Sequence, residues 1–235
     1  MSAVDLNADL GEGVTDDPGL LAVVTSANVA CGSHAGDVAT MAAVCAEAAR
    51  RGVAVGAQVS YGDRAHFGRV PLDVAYEVLR DQVADQVFLL DRIARHSGLR
   101  VSYVKPHGAL YNRVVDDEEQ ARAVLDGSGD LPVLGLPGSV LLDRAAAAGR
   151  EVRREGFPDR GYTGGGWTGR LLPRDQSGAL VADPHEVARR AVAMARSGDV
   201  DSVCVHGDSP GAVATARAVR EALEAADIDV RALHG

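Results

Sequence analysis

The sequence predicts an α/β chain closed into a (β/α) barrel. Three observations carry that expectation. Short β-like apolar runs alternate with longer segments of helical period, which is the signature of parallel strands covered by helices. Seven or eight such units fit within 235 residues, the size of a one-piece barrel. Polar residues collect where the runs end, which is where a barrel carries its chemistry. A doubly wound open sheet is the alternative. The chain has neither the glycine fingerprint of a dinucleotide site nor a P-loop; Gly164-Gly165-Gly166 has no Lys-Ser/Thr after it. No Pro/Ser/Gly-rich linker or repeat divides the chain, so one domain over 1–235 is expected.

In order, the β-like runs are residues 4–6, 27–30, 53–57, 101–104, 133–136, 152–155 and 202–205, with a weaker one at 229–233. Between them, 37–51 carries Met41, Val44, Cys45 and Ala48 at the spacing of one helix face. Residues 72–96 form a long amphipathic pattern. Asp183-Pro184-His185-Glu186 opens a helix with a cap, a proline in the first turn and an acid at the third position. Ser209-Pro210 announces another helix over 211–226. Gly52, Gly98 and Gly149 fall just past helix ends, where a left-handed residue is wanted.

The composition narrows the function. Apolar residues are 46%, enough for a substantial core, and the net charge is −9. An acidic chain with no basic stripe is a poor candidate for nucleic acid or an anionic membrane surface. No apolar run reaches the roughly 18 residues of a membrane span. The first residues show no basic or apolar leader, and the three cysteines (Cys31, Cys45, Cys204) lack zinc spacing. A cytoplasmic protein with reduced thiols is expected. Lys105 is the lone lysine among 24 basic residues, the rest being arginine. A compact ammonium kept where a planar guanidinium is otherwise preferred suggests a special site.

The ends of the runs supply the candidates. Alternation places Asp5, Asn7 and Asp9 on one face of the first strand. Buried unpaired, they would cost several kcal/mol, so they need partners, a ligand or a solvated edge. His34 lies on a glycine-flanked loop after the second run. Pro106 marks the end of the fourth strand and projects Lys105 and His107 into the barrel mouth, where Lys105 can meet a phosphate or a developing oxyanion. Asp159-Arg160 follows the sixth run, and His206 with Asp208 the seventh. His34, His107 and His206 with an aspartate can be drawn as a metal shell, but their spacing does not support one, and the metal stays open.

Six stretches together carry a family resemblance. They are Asp5-Leu-Asn-Ala-Asp-Leu-Gly-Glu12, Ser26-Ala-Asn-Val-Ala-Cys-Gly-Ser-His-Ala-Gly-Asp37, Val104-Lys-Pro-His-Gly-Ala-Leu-Tyr-Asn112, Glu155-Gly-Phe-Pro-Asp-Arg-Gly-Tyr162, Arg174-Asp-Gln-Ser-Gly-Ala-Leu180 and Cys204-Val-His-Gly-Asp208. In this order they resemble the lactam-utilisation LamB/YcsF family, the A subunits of 5-oxoprolinase. The resemblance implies a seven-stranded barrel of the glycoside hydrolase/deacetylase type. It implies ATP-dependent opening of 5-oxo-L-proline to L-glutamate, with ATP and Mg²⁺ as cofactors and subunits B and C as partners. On that reading Asp9, His34, Lys105, His107 and Asp159 are the catalytic candidates. Lys105 and Arg160 bind phosphate or carboxylate, Asp9 or Asp159 is the base, and the histidines move protons. Asn7, Asn28, Asn112, Arg160, His206 and Asp208 are the substrate-binding candidates, and Asp5, Asp9 or Asp208 can help to hold Mg²⁺.

The chain also departs from the family pattern. Gly56-Ala-Gln-Val-Ser-Tyr-Gly-Asp63 has Gln58 where the family has histidine, and Val59 and Gly62 where it has prolines. Glutamine is neither an acid nor a base near neutral pH. Ser33 stands in place of phenylalanine, 163–169 diverges, and the loop near 115–130 is short. Two other readings therefore stay open: a metal-dependent amide hydrolase or deacetylase that needs no ATP, and a non-catalytic subunit that binds an oxoproline-like ligand.

Overall fold

The computed structural model describes residues 2–14, 16–164, 166–207 and 211–232. Its strands are β1 (Ala3–Leu10), β2 (Ser26–Ala30), β3 (Ala54–Val59), β4 (Val101–Pro106), β5 (Val133–Gly135), β6 (Val152–Gly156) and β7 (Ser202–Val205), all parallel to their neighbours and paired in chain order. β1 pairs with β7 through Asp5–Ala8 and with β2 through Asn7–Leu10, which closes a seven-stranded barrel. The open-sheet alternative is thereby excluded. A two-residue β8 (Asp229–Val230) adds to Ala3 and Val4. The Val4 carbonyl accepts from Arg231 and the Leu6 carbonyl from Thr25, so β8 extends the edge that β2 takes over higher up.

Helices α1 (Asp17–Leu21), α2 (Val38–Arg51), α3 (Tyr76–His96), α4 (Gly108–Arg113), α5 (Glu118–Gly127), α6 (Val140–Ala147), α7 (Pro184–Ser197) and α8 (Ala212–Ala225) lie between and after the strands. Local chemistry explains most of their limits. Asp37 caps α2 by accepting from the Thr40 N–H at 2.8 Å, and the face of Met41, Val44, Cys45 and Ala48 is buried. Gly52 ends it in the left-handed conformation, at φ 69°. Asp183 caps α7 with Pro184 in its first turn. Among the described residues no helix is long and apolar enough to cross a membrane.

Two expectations are corrected. The helix expected from residue 72 starts at Tyr76, because the Val74 carbonyl is taken by the Gln120 side chain, which donates at 2.6 Å. The segment near 115–130 contains helix α5 and is not a loop; Asp117 caps it by accepting from the Glu119 and Gln120 N–H groups. β1 runs past the apolar run at 4–6 to Leu10, as the alternation of Asp5, Asn7 and Asp9 on one strand face requires. Helices α1, α4 and α6, of five, six and eight residues, are too short to show a helical period in the sequence. The expected start of the last helix at Ser209-Pro210 lies outside the described residues, and α8 begins behind Gly211.

Alternation along β1 divides the interior into two chemistries. Leu6, Ala8 and Leu10 join the apolar layer beneath the helices. Asp5, Asn7 and Asp9 are buried on the opposite face and are partnered. The Asp5 carboxylate accepts from Thr25 at 2.7 Å, from Ser26 at 2.6 Å and from Ser202. Asn7 donates to Ser202 Oγ at 2.6 Å. Asn28 donates to Asn7 Oδ1 at 2.7 Å and to Asp9 Oδ1 at 2.9 Å, and accepts from the Tyr103 hydroxyl at 2.7 Å. A polar column thus rises through the barrel from Asp5 to Asp9.

Burial pushes the Asp5 carboxyl up to about 6 from an ordinary value of 3.8, against the pull of its three hydroxyl donors. The folded state therefore holds this proton more tightly than the unfolded chain. The associated stability is complete below about pH 4 and is lost as pH rises through about 6. Relative to Asp5→Asn, the wild-type chain should lose about 3 kcal/mol of unfolding free energy across that window. Urea titrations of both proteins at several pH values check this; a pH-independent difference would contradict it.

Candidate active site

A cavity of about 640 Å³ opens at the C-terminal ends of the strands. Asp9, Glu12, Lys105, His107, Arg160 and His206 are among the residues that line it. The β6–α7 segment supplies one wall with Arg170, Leu171, Leu172, Pro173 and Arg174. That segment is anchored by β-bridges between Arg160 and Leu180 and between Tyr162 and Leu171.

Lys105 stands at the centre. It lies near the end of β4 with its side chain inside the barrel, 2% exposed. Its Nζ lies 3.0 Å from Asp9 Oδ1, 2.7 Å from Glu155 Oε1 and 3.4 Å from Cys204 Sγ. Burial pulls its basicity down, but Asp9, Cys204 and Glu155 outweigh this and hold it well above the ordinary lysine value. Burial pushes the Asp9 carboxyl up, and Lys105, His107 and His206 overcome it, so Asp9 stays well below the usual carboxylate range. Lys105 is therefore an ammonium flanked by carboxylates, with the Phe157 ring centre 5.4 Å from its nitrogen.

A second cluster adjoins it. His34 and His107 stack at 4.0 Å between ring centres, and Phe67 meets both edge-on at 5.7 Å. His107 Nε2 lies 3.2 Å from the Phe67 carbonyl, which fixes its proton there and leaves a lone pair on Nδ1. Gln58 Nε2 is 2.9 Å from that Nδ1 and 3.1 Å from Glu12 Oε1. Burial first, then the neighbouring His34, lowers His107 to about 3, so the ring is neutral at pH 7. Burial raises the Glu12 carboxyl.

A third group stands across the mouth. His206 Nδ1 is 2.7 Å from Asp159 Oδ2, and its ring stacks on Phe157 at 5.4 Å. Burial pulls His206 down, but Asp159 overcomes it and raises the imidazole above its ordinary value; Asp159 is lowered in turn. Asp159→Asn should lower the His206 pKa, because it removes the charge that holds the imidazolium. A histidine NMR titration reads this directly, and an unmoved His206 would show that its proton is held by something else.

The remaining candidates divide. Asn112 lines the cavity and donates to the Gly108 carbonyl at 3.1 Å. Arg160 also lines it, with two N–H groups on the carbonyls of Ala179 and Leu172 at 3.2 and 2.7 Å, tying down the β6–α7 segment. Asn7 and Asn28 do not border the cavity; both are fully buried beneath it with protein partners. Asp5 lies at the lower end of that column, and Asp208 is outside the described residues. Gln58, Glu12 and Glu155 are three functional groups that strand-end reasoning did not single out as site residues. The signal for Glu155 was a carboxylate inside a β-like run, the same signal that marked Asp5 and Asp9. Gly207-Asp208-Ser209-Pro210-Gly211 has the spacing of a nucleophile elbow, but proline follows the serine and has no N–H to offer an oxyanion.

The LamB/YcsF family profile matches residues 4–235. The chain belongs to the LamB/YcsF family. It is 56% identical to the 5-oxoprolinase A subunit of Streptomyces avermitilis, over 97% of this chain and 99% of that protein. It is 49% identical to the 5-oxoprolinase A subunit of Mycobacterium avium, over 99% of each. A crystal structure of a lactam utilization protein from Thermus thermophilus, 38% identical, superposes with a TM-score of 0.91 over 98% of this chain and all of that one. Peptidoglycan deacetylase PdaC of Bacillus subtilis aligns with a TM-score of 0.56 at 14% identity, over 99% of this chain and 88% of that one; this likeness shows the fold alone. The LamB/YcsF barrel thus shares its architecture with deacetylases, and its relatives are named as subunits of a larger enzyme.

Proposed function

We propose that the chain is the A subunit of an ATP-dependent 5-oxoprolinase, which opens the lactam of 5-oxo-L-proline to L-glutamate together with subunits B and C. The observation that carries this reading is the Lys105 ammonium held between Asp9 and Glu155 in the cavity of a chain closely related to such subunits. A lactam amide is a poor electrophile. Transfer of the terminal phosphoryl group of ATP, with Mg²⁺, to the lactam oxygen breaks the P–O bond to ADP and makes that oxygen a leaving group. Water then attacks the carbonyl carbon, the ring C–N bond breaks to the amine and leaves an acyl phosphate, and a second water releases phosphate from it to give L-glutamate.

The residues suit that sequence. Lys105 faces the oxyanion or phosphoryl oxygens as a fixed cation, needing no reorganisation when charge develops. Asp9 accepts Lys105 and Asn28 at Oδ1 and takes the attacking water at Oδ2. Asn7 and Asn28 act through Asp9, holding its carboxylate in place. Asn112, Arg160 and the His206–Asp159 pair recognise the carboxylate of the substrate. His107 borders the cavity, and His34 is stacked against it, buried.

The test is glutamate release from 5-oxoproline by this chain alone and with subunits B and C, with and without ATP. Release only with partners and ATP is expected. Release by the chain alone without ATP would favour an amide hydrolase. No release in any format, with partner binding intact, would overturn the 5-oxoproline assignment and favour a ligand-binding subunit.

A further inference from the structure

We propose that Glu12, His34 and His107 bind one divalent transition-metal ion of the zinc type. One donor atom from each lies within 4.8 Å of the others, and all three residues are buried. Glu12 Oε1 stands 3.7 Å from His34 Nε2 and 3.6 Å from His107 Nδ1. Ligand atoms of a tetrahedral zinc are separated by roughly 3.4 Å, given bonds of about 2.0–2.1 Å. From the carboxylate to each imidazole, the donors need to close by only a few tenths of an ångström.

Glu12 and His107 present acceptors, and the His34 ring, stacked on His107 at an interplanar angle of 12°, would turn out of the stack to aim its in-plane lone pair at the same ion. His107 presents the lone pair of Nδ1, because its other nitrogen is engaged by the Phe67 carbonyl. His34 is 2% exposed, and neither of its ring nitrogens has a hydrogen-bond partner. A buried imidazole without a partner is costly, and an ion beside Nε2 would remove the share of that cost that falls on this nitrogen. Glu12 is 7% exposed, while the fixed cation nearby, Lys105, is held by Asp9 and Glu155.

Gln58 marks the position where the ion would sit. Its Nε2 reaches both Glu12 Oε1 and His107 Nδ1, the two acceptors that an ion would bridge. Its Oε1 is buried with no hydrogen-bond partner. The amide is thus a neutral placeholder for a cation. Its reversal about the last torsion presents an oxygen donor to the same place. Two imidazole nitrogens and a carboxylate suit Zn²⁺, Co²⁺ or Ni²⁺; Mg²⁺ prefers oxygen ligands and retained waters. Glu12 and His107 both border the cavity, so the ion would be reachable by substrate, as in catalytic zinc sites.

The inference does not rest on the 5-oxoprolinase reading, because metal binding reports it without any turnover. The full chain without an affinity tag, stripped with chelator, is titrated with Zn²⁺ by calorimetry and with Co²⁺ by visible absorption. One equivalent is expected to bind, with Co²⁺ bands of a tetrahedral site. Glu12→Gln and His34→Ala should each weaken binding at least about tenfold with unchanged circular dichroism. Gln58→His, which adds an imidazole at the placeholder position, should tighten it at least about tenfold. Absence of stoichiometric binding overturns the proposal, as does an affinity that neither Glu12→Gln nor His34→Ala alters. If those two variants fail to fold, Gln58→His decides, and an affinity unchanged in it is equally fatal.

Discussion

Lys105→Met is expected to abolish glutamate release by the assembled system and to destabilise the chain by about 3–5 kcal/mol at neutral pH. Methionine fills nearly the same volume, so the loss is electrostatic. Asp9 and Glu155 would be left buried with no ammonium between them, where the wild-type distances are 3.0 and 2.7 Å. The contribution of Asp9 to the pH dependence should change sign. In the wild type, the Asp9 carboxyl is held well below its ordinary value. It therefore contributes stability that is present above the unfolded pKa and lost as pH falls through the depressed folded one. Without Lys105, burial dominates and raises the buried carboxyl. Relative to the wild type, the variant should then gain stability on acidification from pH 7 to 5, as protonation removes the uncompensated charge. Chemical denaturation across that range measures it. Lys105→Arg should not restore turnover, because a planar fork cannot take the place of a compact ammonium between two carboxylates. A Lys105→Met protein with near-normal turnover would remove Lys105 from the mechanism.

Gly68→Ala should destabilise the chain by about 2–4 kcal/mol and disorder the histidine stack. Gly68 has φ +67°, where an L side chain is strained. A Cβ there would collide with Ser60 Oγ and stand 2.9 Å from His34 Cβ and 3.3 Å from His107 Cδ2. The added methyl group is driven between the loop and both imidazoles, and all three neighbours belong to packed, buried residues. Gly62→Ala is the matched control. Nothing lies within 4 Å of a Cβ at Gly62 and its φ is not positive, so its effect should stay within about 0.5 kcal/mol. Urea midpoints of both variants, with the histidine NMR signals, give the comparison; equal midpoints would show that the approach of Gly68 to His34 carries no weight.

The layout of the fold was legible because its signals are local. The apolar face of α2, the caps at Asp37 and Asp183 and the glycines at 52, 98 and 149 are set within one or two turns of chain. Misreadings arose where a distant group intervened. Gln120 takes the Val74 carbonyl across 46 positions and delays α3. Helices of five to eight residues carry too few apolar positions to show a period. At the site, alternation located Asp5, Asn7 and Asp9 on one face, but it could not tell which of them meets substrate. Burial decided that: Asn7 and Asn28 support the column below, and of the column's Asp5, Asn7, Asn28 and Asp9 only Asp9 reaches the cavity wall.

From the sequence alone follow the alternating units, the barrel class, the family and the singular position of Lys105. Each depends on residue types at fixed short spacings, which a linear chain displays. Only the closed barrel brings Lys105 of β4 to Asp9 of β1, 96 positions away, and to Glu155 of β6. The same closure gathers Glu12, His34, Gln58 and His107 from four separate segments. Which interior groups face one another depends on how the strands are staggered when β7 joins β1. That register is a property of the whole sheet, so the pairing of buried charges, and with it every shifted pKa in the site, appears only once the barrel is closed.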